Sequence, residues 1–205
     1  VTLQQAMQAG EWDIIILQQQ SARSRYYDTY QPYLDNLLAE LLKARSGVTP
    51  AWLMTQAYGT GYDRLGDMHT DEMWARISMA SQQVMEKTPT RLLIPAGTAI
   101  QNARYTALDR FGKAGHLVYD GYHLHEGIAP LIEGLCAAQV VMKHYGVDVD
   151  VEKSRLRITP EWRKERRTPE PHGEPEPATE EDYSLAYRSV KWALASPWQL
   201  TVIEK

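Results

Sequence analysis

Asp120 and His123 are the two residues whose types and spacing point most directly to acid–base chemistry. With two residues between them, the carboxylate can accept a hydrogen bond from one imidazole nitrogen. The other imidazole nitrogen can then take a proton from a nucleophile and return it later. The spacing therefore predicts Asp120 as the orienting acid and His123 as the general base. A histidine that only caps or packs locally is the alternative interpretation.

A run of three glutamines, beginning at Gln18, follows an apolar segment of the chain. A glutamine amide at the end of a strand can donate a hydrogen bond to an oxygen that gains negative charge. We predict Gln19 for this role, with Gln18 as the alternate, and a plain polar loop is the competing interpretation. Gln56 and Tyr58 follow the next apolar segment and are predicted to contact the substrate.

Further tyrosines lie beyond these apolar segments, and their flat faces suit stacking on a sugar ring: Tyr26, Tyr27 and Tyr62. A metal site at His116, His123 and His125 is disfavoured, because residues two apart in an extended segment point to opposite sides. Cys136 is the single cysteine, so an internal disulfide and a multi-cysteine zinc site are both excluded. We expect neither a metal nor a cofactor.

Three short apolar segments predict the strands that position these residues, at 14–17, 51–55 and 92–94. Helical patterns alternate with them: a short helix capped by Thr2, then helices from near Asp28 to Gly47, from a Thr70 cap onward, over 126–145 and over 180–195. Pro95 and Gly97 are predicted to close the third strand. This alternation predicts an α/β fold, a three-layer α/β/α arrangement with a mostly parallel sheet.

In a parallel sheet, ligands bind outside the carboxyl ends of the strands. That rule selects the segments directly after the predicted strands, together with the loop that opens the long helix: 18–21, 56–59, 95–98 and 120–123. We predict a core over 1–146, a charged, proline-rich linker over 147–182, and a helix plus edge strand over 183–205. A net charge of −4 argues against nucleic acid, and no apolar stretch is long enough to span a membrane.

Several segments of residues 1–146, taken in order, resemble the SGNH (GDSL-like) hydrolase superfamily, in its branch of proteins of unknown function. The resemblance is carried by Trp12–Gln19 with Ser21, Tyr30–Leu34, Gln56–Tyr58, Ile94–Ala99 with Gln101–Arg104, and Asp120–Leu124. It implies a flavodoxin-like three-layer fold and an ester hydrolase that removes acyl groups, often acetyl, from carbohydrate. It also implies that Asp120 and His123 complete a Ser-His-Asp triad.

In that superfamily the nucleophilic serine follows the first strand, so the resemblance places it upstream of this chain, together with the first strand or strands. Some acetylesterase relatives carry a glutamine where Gln19 stands, which implies an oxyanion role for it. Secretion or a periplasmic location is likewise implied by resemblance alone. Two alternatives stay open: Ser21 as the nucleophile, although glycines do not flank it, and a non-catalytic carbohydrate-binding protein. An uncovered sheet edge would also favour a homo-oligomer.

Overall fold

The sheet of this protein is parallel, and its strands lie side by side in chain order. The computed structural model describes residues 2–109, 117–118, 120–124, 127–150, 152–153, 157 and 178–201. Its strands are β1 (Ile14–Leu17), β2 (Thr49–Leu53) and β3 (Leu92–Ile94). Ile14 lies opposite Thr49, and Ala51 lies opposite Leu92. The predicted α/β fold with a parallel sheet is confirmed.

Six α-helices flank the sheet within the described part of the chain. They are α1 (Leu3–Ala9), α2 (Tyr33–Ala44), α3 (Thr70–Lys87), α4 (Ala96–Arg104), α5 (Ile128–His144) and α6 (Glu180–Ala195). Strand side chains alternate between the two faces. Ile15, Leu17 and Trp52 pack with α1–α3, whereas Ile14 and Ala51 pack with α4–α6. The arrangement is three-layered, with a core on each side of the sheet.

The starts of the second and third helices differ from the prediction. The second helix starts at Tyr33, not near Asp28, because Gln31 precedes a proline and is held extended at φ −94° and ψ 145°. The residues before it form a short 3₁₀ turn, Tyr27–Tyr30. Thr70 was predicted as the cap of α3, but the cap is His69, because His69 Nδ1 accepts from the Asp71 amide at 3.3 Å. Thr70 is instead the first helical residue.

The α4 helix was not predicted, because Pro95 and Gly97 together resemble a loop. Pro95 does end the third strand, but Gly97 lies inside the helix. A Cβ atom on Gly97 would lie 2.1 Å from the Thr55 carbonyl oxygen. The Gly97 amide also donates to the Met54 carbonyl at 2.8 Å. A glycine is therefore required where this helix approaches the Thr55 carbonyl. The strand β2 ends at Leu53, two residues earlier than predicted.

The C-terminal helix α6 has the predicted bounds and packs on α4 and α5 in a shared core. Beyond it, the described residues Trp198–Thr201 form a turn and an irregular stretch instead of the predicted edge strand. Most of the predicted 147–182 linker lies outside the described residues, so the three-part division stays a prediction. Among the helices that the structure describes, none is long and apolar enough to cross a membrane.

Candidate functional site

The polar segments that follow β1 and β2 emerge at one edge of the sheet, because the strands are parallel. Gln18 to Ser21 follow β1, and Gln56 to Gly59 come a few residues after β2. The segment after β3 differs from expectation, since it is the first turn of α4. Thr98 in that turn is buried, with its hydroxyl donating to the Pro197 carbonyl at 2.6 Å and accepting from Trp74 Nε1 at 3.2 Å. The 95–98 segment is therefore structural.

Asp120 and His123 form the hydrogen-bonded pair that their spacing predicts. Asp120 Oδ2 lies 2.6 Å from His123 Nδ1, while Oδ1 accepts from the amides of Tyr122 at 3.1 Å and of His123 at 2.8 Å. Burial alone would raise the pKa of Asp120, but these hydrogen bonds outweigh it and hold the pKa below its usual value. The carboxylate thus stays ionised, fixes the turn, and directs the imidazole, whose side chain is 50% exposed.

The turn that carries Asp120 and His123 is attached to the segment after β2 by two hydrogen bonds. Gln56 Nε2 donates to the Tyr122 carbonyl at 2.8 Å, and the Gly59 amide donates to the Gly121 carbonyl at 2.6 Å. Gly121 has a φ of +95°, and a Cβ there would lie 2.5 Å from the Tyr62 ring. Gln56 therefore positions the acid–base pair through the backbone, and its predicted contact with substrate stays a prediction.

Three tyrosine rings form a cluster that contacts the imidazole through Tyr122. The Tyr58 ring lies 4.9 Å from that of Tyr62 and 5.8 Å from that of Tyr122, and the Tyr122 ring lies 3.7 Å from the His123 ring. Tyr58 is buried, with 1% of its surface exposed. Its ring packs against Tyr62 and Tyr122 and has no face open to a sugar. The predicted contact of Tyr58 with substrate stays a prediction, and Tyr26, one of the tyrosines predicted to stack on sugar, is exposed.

Gln18 and Gln19 lie in a separate groove of about 280 Å³, whose lining also includes Arg23, Tyr33 and Trp52. Neither Asp120 nor His123 lines it. Gln19 Oε1 accepts from the Gln20 amide at 2.8 Å, which leaves the Gln19 amide group as a hydrogen-bond donor. The structure thus brings Gln56 and Tyr58 to the acid–base pair but does not bring Gln18 or Gln19 into contact with it.

Ser21, the alternative nucleophile, contacts a tyrosine instead of the histidine. Its hydroxyl lies 3.4 Å from the Tyr58 hydroxyl, and that is its side-chain partner within the described residues. A general base must come within hydrogen-bond reach of the proton that it removes. This geometry disfavours Ser21 as the group that His123 activates. The neighbouring Ser24 is buried, and its hydroxyl donates to the Ser21 carbonyl at 2.8 Å.

A polar network behind the site was missed from the sequence. Arg104 Nη2 donates to the Ala57 carbonyl at 2.8 Å, and its Nη1 donates to Gln101 Oε1 at 2.7 Å. Gln101 Nε2 in turn donates to Asp71 Oδ1 at 2.7 Å. Burial lowers the pKa of the Arg104 guanidinium to about 10, so it stays charged at neutral pH. Gln101–Arg104 is among the segments that carry the SGNH resemblance, but no role was predicted for Gln101 or Arg104.

No group of three or more histidine, cysteine or acidic side chains suited to a metal ion occurs among the described residues. His116 and His125 lie outside those residues, so the metal interpretation of the three histidines is not tested by the geometry. Cys136 is fully buried in the core.

Comparison with known proteins identifies a family. Residues 1–155, about three quarters of the chain, match the profile of DUF4886, a domain of unknown function. No curated protein matches the chain. The chain is similar in structure to a DUF4886 family protein from Bacteroides uniformis ATCC 8492, with a TM-score of 0.76 and 22% identity over 98% of this chain and 70% of that one. The structural likeness shows the shared fold, and the profile match shows that this chain belongs to the DUF4886 family.

Proposed function

We propose that this protein is a carboxylic ester hydrolase that removes acyl groups, in the first instance acetyl, from carbohydrate. The observation that carries the proposal is the Asp120 Oδ2 to His123 Nδ1 hydrogen bond of 2.6 Å at the carboxyl edge of a parallel sheet. An oriented imidazole at this edge fits acyl transfer, because ligands of such folds bind there. The resemblance of residues 1–146 to SGNH hydrolases supports the same reaction class.

In the proposed reaction, His123 is the catalytic base and then the catalytic acid. Nδ1 is held by Asp120, so Nε2 takes the proton of a serine hydroxyl as its oxygen attacks the ester carbonyl. Nε2 then gives that proton to the departing sugar oxygen, which leaves an acylated serine. A water molecule then attacks the carbonyl of the acylated serine while Nε2 takes its proton. Nε2 returns the proton to the serine oxygen, and the carboxylic acid is released. Asp120 keeps the imidazole in the required tautomer and stabilises its cationic form.

By the SGNH resemblance, the serine of this proposal is the one that follows the first strand of that fold, and Ser21 is the alternative within this chain. Within the described residues, Ser21 contacts Tyr58, and Ser24 contacts the Ser21 carbonyl, so neither is paired with His123. The Gln19 amide group is the proposed oxyanion donor, with Gln18 as the alternate. An oxyanion donor must lie within hydrogen-bond reach of the carbonyl that the serine attacks, whereas both glutamines line a groove that His123 does not line. The position of this groove therefore favours the other predicted role of the two glutamines, contact with the part of the substrate that extends away from His123.

Carbohydrate binding without catalysis is the second candidate function. It is favoured by the groove beside β1, where two glutamine amides meet Arg23 and the Tyr33 ring, which is 74% exposed. Amide groups and aromatic faces are the side chains that bind sugar hydroxyls and sugar rings. A binding protein of this kind would bind acetylated oligosaccharide without releasing acetate.

The test is acetate release by the full-length protein from 4-nitrophenyl acetate and from an acetylated oligosaccharide. The change His123→Ala should lower kcat by about 10³-fold or more, because the base acts as a unit with the nucleophile. His69→Ala is the matched control, since His69 is also an exposed histidine beside an aspartate, with Nδ1 3.4 Å from Asp71 Oδ2. It should leave kcat nearly unchanged.

A fluorophosphonate probe, which reacts with activated serines, gives a second measurement. The full-length protein should be labelled, its His123→Ala variant should not, and residues 1–205 alone should not. Equal losses of activity in the two histidine variants would contradict the proposal. Binding of the acetylated oligosaccharide with neither labelling nor acetate release would establish the carbohydrate-binding function instead.

A further inference from the structure

Arg25 is a partly buried cation whose protein contacts leave its charge uncompensated. Its Nη1 lies 3.8 Å from the Met73 sulfur, and its guanidinium carbon lies 5.1 Å from the centre of the Tyr26 ring. Nε is buried and has no hydrogen-bond partner. Among the described residues, no carboxylate oxygen comes within ion-pair distance of it. A thioether and a π face are weak partners for a group with five N–H donors.

Other arginines of the chain show what a compensated guanidinium looks like here. Arg76 lies 2.7 Å from Glu72, and Arg157 lies 2.6 Å from Glu180. Removing a charge from water without such a partner is costly, and a buried unpaired N–H adds to that cost. A cation held with weak partners and an unpaired N–H is typical of a residue that serves a ligand, because function is often retained at a cost in stability.

Arg25 is connected to His123 by a series of contacts between neighbouring side chains. The Met73 sulfur that it contacts also accepts the Tyr58 amide, at 3.3 Å. Tyr58 packs on Tyr122, which in turn packs on the His123 ring. The Met73 sulfur and the Tyr58 and Tyr122 rings thus form a continuous series of contacts between Arg25 and His123.

The loop that carries Arg25 is held in place before any ligand binds. The Ser24 hydroxyl donates to the Ser21 carbonyl at 2.8 Å, and the Tyr30 hydroxyl donates to the Ser24 carbonyl at 2.5 Å. The Tyr26 amide donates to the Arg23 carbonyl at 2.9 Å. A binding group on a rigid loop loses little freedom on association, so such bracing favours recognition.

We propose that the guanidinium of Arg25 binds an anionic oxygen group, a carboxylate or a phosphate. This group belongs to the ligand that binds at the edge of the sheet where Asp120 and His123 lie. A planar guanidinium matches both groups because it can donate two parallel hydrogen bonds. The identification of this ligand as an ester substrate rests on the proposed function, whereas binding of the anion by Arg25 does not. The substrate class is then an ester of an acidic or phosphorylated sugar instead of a neutral one.

The test is calorimetric titration of the protein with glucuronate, inorganic phosphate and glucose at low ionic strength. Arg25→Met should weaken binding of the anion at least about tenfold, as expected for loss of hydrogen bonds to a charged group. Arg76→Met is the control: it removes the same charge from an exposed arginine that is already paired with Glu72, and it should leave the affinity unchanged. Preference for glucuronate or for phosphate identifies the source of the anionic group.

Urea unfolding separates ligand binding from a structural role. If Arg25 serves a ligand, Arg25→Met should unfold at the same urea concentration or a higher one, because it removes an uncompensated charge. The proposal is overturned if neither anion binds, if Arg76→Met weakens binding as much as Arg25→Met, or if Arg25→Met unfolds more readily. The ligands tested are not esters, so failure of the protein to hydrolyse esters leaves this result unaffected.

Discussion

The change Arg104→Met tests whether the network behind the site holds the segment after β2 in place. It removes two hydrogen bonds, to the Ala57 carbonyl and to Gln101 Oε1, while keeping a side chain of similar length. Both acceptor residues are buried, with 0% of Ala57 and 2% of Gln101 exposed, so water cannot replace the lost donor. At roughly 1–3 kcal/mol for each unpaired group, less some relief from removing a partly buried charge, we expect a loss of about 2–4 kcal/mol.

The assay is urea unfolding followed by tryptophan fluorescence, with hydrogen exchange at the Tyr58 and Gly59 amides as a local measurement. Arg76→Met is the control, because Arg76 makes an equally short contact to Glu72 but lies on the surface, where such pairs contribute at most about 1 kcal/mol. Exchange at Tyr58 and Gly59 should accelerate in Arg104→Met alone. Equal stability losses in the two variants, or a more stable Arg104→Met, would refute the reasoning.

Two further predictions concern the partly buried Glu133 and the fully buried Cys136, both outside the candidate site. Burial raises the pKa of Glu133, so the folded state binds this proton more tightly than the unfolded chain, and stability falls as pH rises above the ordinary glutamate range. Glu133→Gln should therefore increase the free energy of unfolding at pH 7 but not at pH 3.5, and equal effects at both pH values would contradict this. Burial also raises the pKa of the Cys136 thiol, which is 0% exposed. It should react with Ellman's reagent at least about a hundredfold more slowly in the native protein than in urea, and fast native reaction would show that this core opens readily.

The acid–base pair was predictable because its geometry is local. Asp120 and His123 are three residues apart, and the carboxylate also accepts two amides of its own turn, so little of the surrounding fold is needed to bring them together. Strands and most helices were likewise predictable from apolar periodicity. The bounds of α6 followed from the helical pattern over 180–195.

The rest depends on contacts between distant parts of the chain. The Arg104 to Ala57 hydrogen bond joins residues 47 positions apart, and no pattern in either segment indicates it. The helix α4 was missed because a proline and a glycine near its start imitate a loop, whereas the glycine is needed for close approach to Thr55. The separation of Gln19 from His123 is also a property of packing, so the alternation of strand side chains could not anticipate it.

The order of the strands bears on how this protein folds as it is synthesised. Because β1, β2 and β3 lie side by side in chain order, each new strand can add to the edge of a sheet that already exists, and no strand has to insert between two formed neighbours. Each addition still waits for an intervening helix, since Ile14 pairs with Thr49 and Ala51 pairs with Leu92. The Asp120 turn docks on the segment after β2 only once later residues have left the ribosome. The sheet can therefore assemble during translation, whereas acid–base geometry is completed after all three strands are in place.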